Sequence, residues 1–258
     1  MTRIVIFRTA ILALMAITLL PASPVSAASP AEQAVADAAA NNKFSYIMFY
    51  KTNDAASKQM HRTLMDTLAQ RTDATMIPVH TGNQQEEGLI RKFDATRLPM
   101  PAVAVLAPNG AVCTVIPREI SEQQVLACFV SPVQADCLKS LQENQLVALC
   151  VLPSPQTAIP AGVSSFKQDK HYKDRTRVIP VLAGDQQEAK FLKQLKIPSV
   201  KSKPVVAFIA PPGVMVGIFD EHVTANELSE KLAAAGKCCE DENCKHNQSA
   251  RGNAPQKR

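Results

Sequence analysis

A ten-residue segment occurs twice in this chain of 258 residues: IPVHTGNQQE from Ile77 to Glu86, and IPVLAGDQQE from Ile179 to Glu188. The match continues in both directions at a constant offset of 102 residues, so that Ser29-Pro30 falls on Ser131-Pro132, Asn42 on Asn144, Phe49 on Val151 and Gly82 on Gly184. One additional residue before the last proline of the second copy moves the offset to 103. Pro101 then falls on Pro204, Gly110 on Gly213 and Ser121 on Thr224. A match that holds its offset over this length predicts two copies of one domain, 28–129 and 130–237, with almost no linker. With 46% hydrophobic and 20% charged residues, each half can bury a core of its own.

Both copies carry the same element signals in the same order. Ser29-Pro30-Ala31-Glu32 and Ser131-Pro132-Val133-Gln134 place serine at a helix N-cap, proline at the first helical position, and Glu or Gln where it can return a hydrogen bond to the cap. Asn41-Asn42 and Glu143-Asn144 end these helices. The runs FSYIMFY and LVALCVL that follow are strand-length and almost wholly apolar, the pattern of central strands covered on both faces.

A helix with Met60, Leu64, Met65 and Leu68 on one stripe comes next; in the second copy Pro160 and Gly162 should shorten or displace it. The TMIPV and RVIPV strands contain mid-run prolines, which suggest an outer position or a bulge. Gly82 and Gly184 turn the chain, and Q-Q-E opens the following helix, where glutamate favours the positive end. PAVAVLAPNG and PVVAFIAPPG each lead into a second strand, with Asn109-Gly110 favouring an antiparallel hairpin. Capping boxes at Ser121 and Thr224 start the last helices. The expected fold class is α/β: two tandem units, each a mixed four-stranded core sheet flanked by helices.

The N-terminus has a short basic region, an apolar run from Ile11 to Leu20 and the small-residue site Val25-Ser26-Ala27. This organisation predicts a secretory signal peptide over 1–27, with a retained anchor as the competing reading. The expected location is periplasmic or extracellular, with no membrane segment after cleavage. A net charge of +5 spread among acids leaves no nucleic-acid footprint.

The strand segment FSYIMFYKTND, the MIPV strand and the loop LPMPAVAVLAPNGAV together resemble the thioredoxin-like fold, and the resemblance covers both repeats. It implies that Pro101, after Met100, and Pro204, after Lys203, are cis prolines beside the redox position. It also implies C-x-x-C at the start of the helix after the first strand, where a helix N-terminus lowers a thiol pKa. This chain has Asp54-Ala55-Ala56-Ser57 and Gln156-Thr157-Ala158-Ile159 there, with no thiol in either copy. Asp54 suits an early-helix anion, and Ser57 a hydroxyl facing solvent.

All seven cysteines lie elsewhere, and an odd number cannot all pair within one chain. Cys113 and Cys150 fall in apolar strands as space-filling residues. Cys128 and Cys137 flank the junction, where a disulfide would staple the two domains. In the tail, 238–258, Cys244 can close a local disulfide with Cys238 or Cys239. Those thiols and His246 could ligate zinc or copper(I), but C-C-x4-C-x-H lacks the usual two-residue spacing, and no metal or other cofactor is assigned. His61, His80, His171, His222 and His246 form no paired metal spacing, Glu86-Glu87 has no counterpart pair at Glu188-Ala189, and neither glycine turn has a phosphate-binding context.

Without a conventional oxidoreductase motif, the leading expectation is a redox-inactive thioredoxin-like module that binds protein or peptide. Its surface would be formed by Lys51 to Ser57, His80 to Asn83 and the Met100-Pro101 loop, with Lys203-Pro204 the matching loop of the second copy. The resemblance places these segments at the substrate-binding end of the fold. The alternatives are an atypical thiol-redox or metal-handling protein using the C-terminal cysteines, and a rigid assembly unit. The sequence sets no oligomeric state.

Overall fold

The computed structural model describes residues 28–237; the expected signal segment and the tail with Cys238, Cys239, Cys244 and His246 lie outside these residues. The first domain runs α1 (Pro30–Ala40), β1 (Phe44–Tyr50), α2 (Ala55–Leu68), β2 (Ala74–His80), α3 (Glu87–Lys92), β3 (Ala102–Leu106), β4 (Val112–Pro117) and α4 (Glu122–Ala127). The second repeats this as α5 (Pro132–Gln142), β5 (Leu146–Leu152), α6 (Ala161–Gln168), β6 (Thr176–Leu182), α7 (Ala189–Gln194), β7 (Val205–Ala210), β8 (Val214–Phe219) and α8 (Ala225–Lys237). The strand orders are β2-β1-β3-β4 and β6-β5-β7-β8, with the first pair parallel and the other two antiparallel. This is the thioredoxin-like topology, present in tandem.

Position in the sheet accounts for the strand compositions. β1 and β5 are central and buried along nearly their whole length, which is why they alternate so little. β2 and β6 are edge strands, and there Pro78 and Pro180 cost no interior ladder bond. On one face of the first sheet α1 and α3 cover Ile47, Phe49, Ile77, Val79 and Ala104; on the other, α2 and α4 cover Tyr46, Met48, Val103 and Val105.

The repeated Q-Q-E has a different role from the one its position suggests. Glu86 is 5% exposed and makes no capping bond to its own helix. Its carboxylate accepts instead from the Ser29 hydroxyl (2.5 Å) and the Ala31 N–H (3.2 Å), at the start of α1. Glu188, 1% exposed, accepts from the Ser131 hydroxyl and from the Val133 N–H (2.9 Å) at the start of α5. A buried carboxylate thus satisfies orphan helix-start donors 55 and 57 residues away in both copies.

In α1 the Ser29 hydroxyl also accepts from the Glu32 N–H and the full capping box forms. The box expected at Ser131-Gln134 does not form: Ser131 donates to Glu188 and makes no capping bond within α5. The Ser121 box does form, and the Thr224 hydroxyl accepts from the Glu227 N–H.

Two further expectations are corrected. Met65 does not share the core stripe: Met60, Leu64 and Leu68, four residues apart, are buried, whereas Met65 sits one position round the helix and is 48% exposed. Met100–Pro101 is cis, but Lys203–Pro204 is trans. The extra residue between α7 and β7 lengthens this loop, and the chain reaches β7 with the peptide form that X-Pro bonds ordinarily favour. The second domain has its cis bond at Pro211–Pro212.

The expected shortening in the second copy is present: α2 has 14 residues and α6 has 8. Gly162 lets α6 approach the start of α8 so closely that a Cβ there would lie 1.9 Å from the Val223 carbonyl oxygen. Tyr172, from the segment replacing the missing helical turns, stacks on Phe166 at 4.1 Å.

The domains meet through α5, whose Ala135 and Leu138 pack into the first core while Cys137 and Leu141 pack into the second. The Gln142 amide accepts from the Val112 N–H (2.9 Å) and donates to the Val112 carbonyl (2.8 Å), as a neighbouring strand would. Phe129 packs edge-on against Phe44 at 4.9 Å, with the Arg71 guanidinium 3.8 Å above its ring and paired to Asp73.

Glu86→Gln should lower unfolding free energy by about 1–3 kcal/mol, the value of a charged hydrogen-bond acceptor in a buried site. Glu87→Gln, which removes only an exposed ion pair with Arg91, should stay within about 0.5 kcal/mol. Urea denaturation of the two variants checks the contrast. Gly162→Ala should cost about 1–3 kcal/mol, measured the same way, because rigid backbone must shift to admit the methyl group.

Candidate functional site

At the start of α2, where the resemblance implies a redox thiol, the helix closes on itself. Asp54 is the N-cap, and its carboxylate accepts from the Ser57 N–H (2.9 Å) and the Thr52 hydroxyl (2.8 Å). These bonds hold the Asp54 carboxyl below the usual aspartate range, the Ser57 N–H contributing most. The resident anion occupies donors that would otherwise stabilise a thiolate or an anionic ligand. Ser57 is not the solvent-facing hydroxyl expected of it: it is 4% exposed, because it precedes Met60 and Leu64 on the inward stripe of α2.

The loop after β1 and the turn after β2 are brought together. The Thr81 N–H donates to the Tyr50 carbonyl (2.9 Å). His80 bridges the two segments: Nδ1 accepts from the Gly82 N–H (3.1 Å), which leaves the proton of a neutral ring on Nε2 to donate to the Lys51 carbonyl (3.0 Å). The ring also packs edge-on against Tyr50 at 5.3 Å. A Cβ at Gly82 would come within 2.9 Å of that ring, so the glycine belongs to the lock. The second copy has Leu182 in place of His80, and Gly184 meets nothing within 4 Å.

Met100 packs against the α1/α3 core cluster, and Pro101 is buried, its carbonyl accepting from the Arg118 N–H. Lys203 is exposed and pairs with Glu221 at 2.6 Å, which holds its ammonium above the usual lysine range; Pro204 is buried. These two loops belong to different sheets and do not form one site.

A groove of about 650 Å³ lies beside the Asp54 cap, between α2 and the β2 edge of the first sheet. Met48, Tyr50, Met65 and Pro78 give it an apolar floor, while Lys58, His61 and Arg62 line the α2 side with Asp66 beyond them. Lys58, Arg62 and Asp66 form no ion pair among the described residues. Asn53 and Ser57 of the surface expected from the sequence also line the groove, whereas Lys58, His61, Arg62 and Met65 lie outside that surface, although their signal is legible in the sequence: 58, 61, 62 and 65 recur at helical spacing on a face adjacent to the core stripe 57, 60, 64 and 68.

The four cysteines within the described residues are free. The expected Cys128–Cys137 staple is not formed, because Cys128 packs into the first core and Cys137 into the second. Burial pushes the Cys113, Cys137 and Cys150 thiols up to about 12, and Cys128 upward as well. No group of three or more metal-ligating side chains occurs among the described residues.

No protein-family model and no curated protein matches the sequence. Solved structures it is similar to include human ERp44 (9% identity, 77% of this chain and 56% of that chain, TM-score 0.34) and oxidised thioredoxin O2 from Arabidopsis thaliana (13%, 37% and 79%, TM-score 0.31). The first two thioredoxin domains of Saccharomyces cerevisiae Eps1p are similar at 12% identity over 74% of this chain and 89% of that chain, TM-score 0.29. The strand order and direction of the two sheets define the thioredoxin-like topology.

Proposed function

We propose that this chain is an exported, redox-inactive thioredoxin-like protein that binds a protein or peptide segment through the groove of its first domain. The observation that carries the reading is the groove lining, an apolar surface with Met65, Tyr50 and Pro78 beside cationic side chains without ion-pair partners among the described residues. The exposed Met65 accommodates varied apolar side chains, and Lys58 and Arg62 favour a carboxylate beside it. An extended segment with an apolar anchor next to Asp or Glu matches this lining. The shorter α6 and the Tyr172–Phe166 stack give the second domain a different surface at the matching place, which suits a supporting role.

Redox inactivity is supported by the capped α2 start and by burial of the described thiols, since disulfide exchange needs an accessible thiolate. In a variant with Cys238, Cys239 and Cys244 replaced by serine, the four remaining thiols should react with Ellman's reagent roughly a hundredfold or more slower in the native state than in denaturant. A single fast-reacting native thiol would count against inactivity.

A fluorescent peptide library measures binding. It should select apolar segments flanked by Asp or Glu, with Lys-substituted counterparts binding about tenfold weaker. Arg62→Glu should invert that preference, and Met65→Glu should abolish selection. Lys193→Glu in the second domain should change neither result. Selection that ignores both groove substitutions sinks the proposal.

A further inference from the structure

Two open sheets present four edges, and three of them are blunted. β2 and β6 carry a mid-strand proline, Pro78 and Pro180. β4 has its Val112 backbone engaged by Gln142 and is packed by α5 of the second domain. The matching strand β8 has no domain after it among the described residues. Its sequence, VMVGIF, contains neither charge nor proline, and its backbone makes no hydrogen bond outside the ladder to β7 among the described residues. Val214, Met215 and Ile218 are 43%, 36% and 40% exposed, three of the chain's six exposed large apolar side chains among the described residues. An uncharged apolar edge of this kind is a template for strand pairing. The tail beyond α8 contains no Val, Ile, Leu, Met, Phe, Tyr or Trp to complement it.

The distribution of β8 side chains selects the occupant. The register against β7 shifts between Phe208 and Ile209, leaving Val216 without a direct partner. Met215 and Ile218 lie opposite Ile209 and Ala207, on the α5/α7 face. Val214, Gly217 and Phe219 lie opposite Ala210, Phe208 and Val206, and Val216 packs with the same α6/α8 face. The order of faces along 214–219 is therefore the same read in either direction. Two antiparallel copies, related by a twofold axis between Val216 and Gly217, would bring Val214 to Phe219, Met215 to Ile218 and Val216 to Gly217. Every pair then shares a face, and the absence of charge means that none repels its copy.

We infer that β8 is a self-association surface, pairing with β8 of a second copy of this chain to join two second-domain sheets into one. The inference is independent of the groove reading, which concerns the first domain. Sedimentation velocity of residues 28–258, in reductant so that tail cysteines cannot link chains, should show a concentration-dependent dimer. Met215→Glu and Ile218→Lys, both at exposed positions, should each weaken it by about tenfold or more while leaving the circular dichroism melt in place. An equimolar mixture of the two variants should restore the dimer, because the axis sets the carboxylate introduced in one copy against the ammonium introduced in the other. A chain that stays monomeric at the highest attainable concentration overturns the inference. So does a dimer insensitive to both substitutions, or a mixture that fails to recover.

Discussion

Each repeat is organised around a carboxylate held almost entirely out of water. Removing Glu86 or Glu188 from solvent is costly unless its oxygens are hydrogen-bonded. A helix start meets that need with an N–H and a serine hydroxyl, both of which require acceptors of their own. The mutual satisfaction ties α1 to the turn before α3, and α5 to the turn before α7, fixing both helices on the same face of their sheet. The opposite face is left to α2 and α4, or α6 and α8. The glutamate of each Q-Q-E makes this tie, once per domain.

At the same end of the sheet, on its opposite face, the chain has closed the start of α2, where the thioredoxin-like resemblance implies thiol chemistry. Asp54 supplies its own negative charge to the first turn of α2, and Ser57 turns inward. The open surface is displaced along α2, onto the flank between the core stripe and solvent. There Met65, Arg62, His61 and Lys58 stand over the proline-bearing edge strand. His80 and Gly82 tie the turn after β2 to the Lys51 loop.

The two copies have diverged where each meets a different neighbour. β4 faces α5, and the Gln142 amide serves as its missing strand; the outer edge of β8 has no hydrogen-bonded neighbour among the described residues and is apolar and uncharged. α2 presents a long exposed flank, whereas α6 is cut short by Pro160 and held against α8 by the contact at Gly162.

The sequence by itself determined the tandem architecture, the order of elements, the central strands, and the absence of thiols at the two positions that the resemblance implies; it left β2 and β6 as either outer or bulged, and the sheet order makes them edges. The architecture and the element order follow from local periodicity, turn residues and a constant offset, all readable along one dimension, whereas the positions of the missing thiols come from the thioredoxin-like resemblance. Tertiary structure alone decided where Glu86 and Glu188 point, since their partners lie more than fifty residues away. It also decided that Cys128 and Cys137 belong to separate cores, that Pro204 follows a trans bond, and that Met65 faces a groove rather than the core. Periodicity marks which residues share a helix face. Whether that face meets a core, a groove or another domain depends on packing between distant segments.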